Sequence, residues 1–227
     1  VNRGSDVVVQ IKEQDSLESE VALIAIGRKV ISEELGLHVL GIASQSGRGI
    51  VVNEKMETSI PGIYAIGDVT GHIMLAHVAS HQGMVAVTNA MGGEAHMHYD
   101  AVPSVIFTLP EIATVGLSLE GALEKGYEAV QTRFPFQALG KALASLEPEG
   151  FVQIVTDKKT HRILGALVVG EGASSLIAEM TLAVHHKFTV ESLVEIIHAH
   201  PTLPEIWVEV ALLATGFPIH FLSRRPK

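Results

Sequence analysis

The stretch His198-Ala199-His200-Pro201-Thr202-Leu203-Pro204-Glu205 places two imidazoles and a carboxylate close together around a proline. A histidine titrates near pH 6.5, so a neutral imidazole is a ready proton acceptor at physiological pH. A carboxylate on the other ring nitrogen fixes the tautomer and stabilises the imidazolium. His200 with Glu205 behind it therefore has the makings of a general base and its orienting partner. Pro201 biases His200 toward extended backbone, and a cis His200–Pro201 bond is a further option. The same residues also spell a helix start. Thr202 and Glu205 have the spacing of a capping box, and Pro204 falls in the first turn, where a missing N–H does no harm. Cap and base are compatible, and spacing alone favours the cap.

A second candidate is "IPGIYAIGDVTGHIMLAH", residues 60–77. An apolar run ending in Gly67 and Asp68 reads as a strand that delivers a carboxylate to a sheet edge, where open α/β folds bind ligands. Such an aspartate suits a sugar hydroxyl. The first helical turn that follows, Leu75, Ala76 and His77, offers outward amides and a positive dipole end suited to an electron-rich ring. The plain alternative is an ordinary turn with Asp68 as turn former. The other histidines carry less. His77 and His81 lie one helical turn apart without a third ligand, "HMH" at 96–98 and "HH" at 185–186 are no stronger, and no metal site is expected. His198, two residues from His200, could be mistaken for the base.

The elements that must position these groups read as two successive patterns. "DVVVQIK" and "EVALIAIG" are β-branched runs, the second closed by Gly27, like the last strands of an α/β domain. A helix is expected from about Leu75 to Met91, with Leu75, Val78, Val85 and Val87 on its apolar face. "GGEAHMHYDAVP" marks a change in composition and a domain boundary. Beyond it, "SVIFT" and "EIATVGLS" read as strands, Ser118 caps a short helix that Gly126 stops, and residues 151–170 form a hairpin. Residues 173–187 form an amphipathic helix and "TVESLVEIIH" another, capped by Thr189. The last helix ends near Thr215 before Gly216 and Pro218, with Trp207 packing it and shaping the mouth of the site. Strands followed by grouped helices imply an α+β domain after an α/β remnant.

Composition narrows the function. The 227 residues carry a formal charge of −9, which argues against a nucleic-acid partner, and basic residues cluster only at Arg224 and Arg225. Apolar residues make up 47% and mean hydropathy is +0.33, yet no run approaches the roughly 18 residues of a membrane span. The surplus reads as buried interface. There is no cysteine, so no disulfide, thiolate metal site or thiol nucleophile arises from this chain alone. An acidic, cysteine-free chain fits the cytoplasm. The opening "VNRGSDVVVQ" lacks signal-peptide order and reads as the inside of a fold.

"TSIPGIYAIGDV" followed by "MLAH" resembles the second flavin motif of the pyridine nucleotide disulfide oxidoreductases. "VPSVIFTLPEIATVG" is similar to the start of their dimerisation domain, and "HAHPTLPE" closely resembles the active-site stretch of the members that oxidise dihydrolipoamide. All three occur in the family's order. The resemblance implies residues 1–30 as the end of the NAD-binding domain, 31–99 as the second segment of the FAD-binding domain and 100–227 as the interface domain. It implies that Asp68 binds the ribityl chain of FAD, with Gly67 allowing close approach, and that Met74, Leu75, Ala76 and His77 face the flavin's pyrimidine edge. Gly27 would lie beside the NAD nicotinamide, and His200 with Glu205 would deprotonate the dithiol. The implied partners are a second copy of the chain and the lipoyl domain of a 2-oxoacid dehydrogenase complex. The family's glycine-rich flavin loop, redox disulfide and glycine-rich NAD loop have no counterpart here. This chain is therefore expected to correspond to a C-terminal half, to bind no cofactor and to be inactive alone. Alternatives are a glutathione reductase-like enzyme and a non-catalytic dimerisation fragment.

Overall fold

The computed structural model describes residues 2–3, 6–13, 15–45 and 48–221. The Arg224 and Arg225 cluster lies outside them. The chain divides into two compact units, Val1–Met97 and His98–Lys227.

Unit 1 has little regular structure before its helix. Strands β1 (Asn2–Arg3), β2 (Asp6–Val9) and β3 (Leu17–Ser19) form an antiparallel sheet in that order. β4 (Ser44–Gln45) and β5 (Gly49–Ile50) form a two-stranded ribbon, and a small core gathers Ile42, Ile50 and Ala65. Helix α1 (Ala76–Ala90) runs where the spacing predicts, burying Val78, Gln82, Val85 and Ala86. Val87, assigned from sequence to the same face, is exposed. Counting from Val78, the buried positions fall at offsets of four, seven and eight, whereas Val87 at nine rotates off that stripe.

Two expected strands do not form. "EVALIAIG" is irregular and solvent-facing, with Leu23 89% and Ile26 94% exposed. A continuous apolar run is the signature of a strand buried on both faces of a parallel sheet. Among the described residues no strand pairs with it, so its backbone has no ladder to join. "GIYAIGD" likewise makes only the single bridge Glu57–Tyr64 before turning into a 3-10 segment at Gly67–Thr70.

Unit 2 is built on a five-stranded antiparallel sheet, with strands β6 (Ser104–Ile106), β7 (Ile112–Gly116), β8 (Ala129–Pro135), β9 (Gly150–Asp157) and β10 (Ile163–Gly170) in the order β6-β7-β10-β9-β8. β9 and β10 are the expected hairpin. Alternation along β9 sends Val152 and Ile154 into the main core, while Val155 joins Leu164 and Ala122 in a smaller cluster. The register shifts between Ile163 and Gly165. Only glycine fits there, because a Cβ on Gly165 would lie 2.1 Å from the Leu117 carbonyl oxygen.

Helix α2 (Leu119–Glu124) is capped by Ser118, whose side chain accepts from the Gly121 N–H. A short α3 (Gly140–Ala144) precedes the hairpin. The main core lies between the sheet and helices α4 (Ala173–His185) and α6 (Glu205–Thr215). Helix α5 (Val190–Val194) is capped by Thr189 as expected but spans only five residues. His198 Nδ1 lies 3.1 Å from the Ile196 carbonyl oxygen, the group a continuing helix would offer to its own backbone. Trp207 does not border a site mouth. It is fully buried, and its indole N–H donates to the Leu176 carbonyl at 3.1 Å.

Candidate active site

In unit 2 the turn between α5 and α6 brings His200 to Glu205. His200 Nδ1 lies 2.8 Å from Glu205 Oε1, and Glu205 Oε2 accepts from the Thr202 N–H at 2.7 Å. The His200–Pro201 bond is cis. The histidine side chain is 72% exposed while the carboxylate is 16% exposed, so an open imidazole stands on a sheltered anion. Burial pushes the Glu205 carboxyl upward, but the Thr202 N–H, the His200 hydrogen bond and the charges of His200 and His220 together hold it below its ordinary value. An ionised carboxylate only accepts, so Nδ1 donates and the neutral ring presents Nε2 as its acceptor.

The capping box is half formed. Glu205 reaches back to the Thr202 N–H, but Thr202 Oγ1 donates to the Ala199 carbonyl at 2.6 Å instead of capping α6. One carboxylate thus serves the helix start and the histidine through separate oxygens. His198, by contrast, is buried. Its Nε2 sits 2.8 Å from Glu179 Oε1 on α4, so both ring nitrogens are engaged.

A carboxyl held low in the fold binds a proton more weakly there than in the unfolded chain. Its stabilising contribution is complete above the ordinary glutamate range, about 4.3, and is lost as pH falls through the lower folded value. Glu205→Gln should therefore be less stable than the parent at pH 7 in urea unfolding, with the difference shrinking below about pH 4. A difference that grew on acidification would contradict that sign.

In unit 1 the 3-10 turn at Gly67–Thr70 and the start of α1 bring Asp68 and Met74 together through Arg28. Arg28 Nη1 donates to Asp68 Oδ2 at 3.0 Å, and Nη2 donates to the Met74 carbonyl. Sequence reasoning missed Arg28, although it stands directly after Gly27. The pair is more than half exposed, at 59% and 52%, which limits its worth to about 0–1 kcal/mol. Gly67 has φ +74, and its N–H donates to the buried Gln82 at 2.7 Å. The N-cap Leu75 provides no side-chain bond, and the Ala79 N–H on the Leu75 carbonyl closes the first turn. The positive end of the helix dipole is thus presented at Ala76 and His77, both exposed. Gly27 is exposed with φ +123, and an added Cβ would meet nothing within 4 Å. Among the described residues no group of three or more His, Asp or Glu is placed to hold a metal ion.

The chain matches the model of the pyridine nucleotide-disulphide oxidoreductase dimerisation domain over residues 102–211, and that of the pyridine nucleotide-disulphide oxidoreductases over residues 1–83. It belongs to the pyridine nucleotide-disulphide oxidoreductase family. Among curated relatives, the dihydrolipoyl dehydrogenase of Chlamydia pneumoniae is 50% identical over 214 residues, which is 94% of this chain and 46% of the relative. Among solved structures, LpdA from Mycobacterium tuberculosis superposes with a TM-score of 0.86 at 32% identity, over 93% of this chain and 46% of that one. The HOCl-induced flavoprotein disulfide reductase RclA from Escherichia coli gives 0.83 at 26%, over 93% and 49%. The chain spans about half the length of the curated relatives it matches.

Proposed function

We propose that this chain is the C-terminal part of a homodimeric dihydrolipoyl dehydrogenase, in which His200 is the base that takes the dithiol proton and Glu205 orients it. The observation that carries this reading is the sheltered Glu205 carboxylate on His200 Nδ1, which leaves Nε2 as the acceptor on an exposed ring. As a thiol proton arrives on Nε2, the imidazolium gains the full attraction of Glu205. The relatives named dihydrolipoyl dehydrogenase support dihydrolipoamide as the substrate, and with it a lipoyl domain of a 2-oxoacid dehydrogenase complex as partner.

Residues 1–30 are then the end of the NAD-binding domain, 31–99 the second FAD segment and 100–227 the interface domain. The unit 1 residues fit a flavin in kind. They combine a carboxylate with an uncapped helix start, and the Arg28 pair covering Asp68 is weak enough to exchange. Asp68 would bind the ribityl hydroxyls, Gly67 would admit close approach, Met74 to His77 would face the pyrimidine edge, and Gly27 would lie beside NAD. Bound FAD supplies the two-electron acceptor between dithiol and NAD.

The chain contains no cysteine, so by itself it has no thiol through which to exchange with the substrate. The full-length protein is expected to show flavin absorbance and to reduce NAD with dihydrolipoamide, and the isolated chain to do neither. Reduction of glutathione disulfide by the full-length protein without dihydrolipoamide oxidation would overturn the substrate. Stoichiometric tight FAD on the isolated chain would overturn the division of the cofactor site.

A further inference from the structure

Two carboxylates one helical turn apart on α6 each carry an imidazole. Glu205 holds His200, and Glu209, only 3% exposed, accepts from His220 Nδ1 at 2.7 Å and from the His220 backbone N–H at 3.3 Å. His220 reaches it because α6 stops at Gly216, in the left-handed region at φ 87, and the chain turns back with the Phe217 N–H on the Leu212 carbonyl. The Phe221 ring then packs 5.7 Å from Phe134 on β8. A carboxylate as buried as Glu209 is tolerated as an ion only when partnered. Side chains four apart share a helix face, and the charge of His220 is felt at Glu205.

The other titratable groups on elements packed against α6 have different engagements. Arg133 on β8 lies over the Phe151 ring, and Asp157 on β9 accepts from Thr160. On α5, Glu191 meets His161 and Glu195 stands at the C-terminal cap; on α4, Glu179 meets His198 and the His185 ring packs edge-on against His186. The array on α6 is therefore His200, Glu205, Glu209 and His220.

We propose that Glu209 and His220 form a positioning pair for the base: the turn after α6 pins the second carboxylate of the helix on its own imidazole, so that Glu205 alone holds His200. This rests on the reading of His200 as base. A protonated His220 opposes a proton arriving on His200, and a bare Glu209 favours it. In the full-length flavoprotein, His220→Gln leaves Glu209 unopposed and should move the acid limb of kcat/KM for dihydrolipoamide to higher pH. Glu209→Gln removes a negative charge from the face of α6 that holds His200 and should move the limb to lower pH. Each displacement is about half a unit, the size expected from removing one charge near a partly solvated site.

Opposite displacements support the pair. Limbs that stay in place, or that move the same way in both variants, overturn it, because a merely structural loss has no reason to change sign with the charge removed. His200→Gln, measured alongside, separates the two levels. If it keeps the parent rate, the base reading itself fails. If it loses the rate while the other two limbs do not move, only the positioning pair fails.

Discussion

His200→Gln in the full-length protein is expected to lower the rate of dihydrolipoamide oxidation by about 10²- to 10⁴-fold while flavin content stays at the parent level. Glutamine keeps a polar side chain of similar length, so the half-formed capping box through Thr202 and Glu205 survives. The loss falls on proton acceptance, since an amide does not take up a thiol proton near neutral pH. The parent ring is well suited to that step. It is open to solvent, Glu205 fixes its tautomer, and Glu205 is kept ionised by the Thr202 N–H and by the two histidine charges against the upward push of burial. Part of the loss should be recovered by raising pH, because a larger thiolate fraction in the substrate does without the base. Near-parental oxidation by this variant at pH 7 would remove His200 from the mechanism.

Legibility in the sequence depended on whether a feature is completed locally or by a distant partner. The β9–β10 hairpin is readable because alternation and turn lie within one stretch, and each strand finds its partner in the other. "EVALIAIG" has equal strand character, yet a strand exists only in a ladder, and the described residues supply none. The site divides in the same way. His200 and Glu205 are close in sequence with a proline between them, and the pairing is visible before any fold is known. Glu209 and His220 are joined only by the reversal at Gly216, and Arg28 meets Asp68 across forty residues. Neither pairing has a local signature. α5 is shorter than its sequence pattern for a related reason. Its apolar spacing continues through Ile197, but His198 takes the Ile196 carbonyl, and side-chain competition of that kind leaves no trace in periodicity.

Trp207→Ala is the substitution expected to cost unit 2 the most stability, about 3–5 kcal/mol. The indole is fully buried among residues of both the sheet and the helices, and its N–H reaches the Leu176 carbonyl, so it joins α6 to α4 by volume and by a directed bond. Trp207→Phe separates the two contributions. It retains most of the apolar volume and gives up the hydrogen bond, for an expected loss of about 1–2 kcal/mol. Trp207 is the only tryptophan, so its fluorescence follows unit 2 in the parent, but the variants must be followed by far-UV circular dichroism in urea. A loss below about 1 kcal/mol for Trp207→Ala would mean that the space collapses with little cavity left. The consequence extends to the site because Glu205 lies two residues before Trp207, in the first turn of the same helix. Looser docking of α6 would blur the position of the carboxylate that orients His200. Trp207→Ala should then lower turnover as well as stability, whereas Trp207→Phe should keep most of the turnover, and that ordering ties the buried indole to the exposed imidazole through the helix they share.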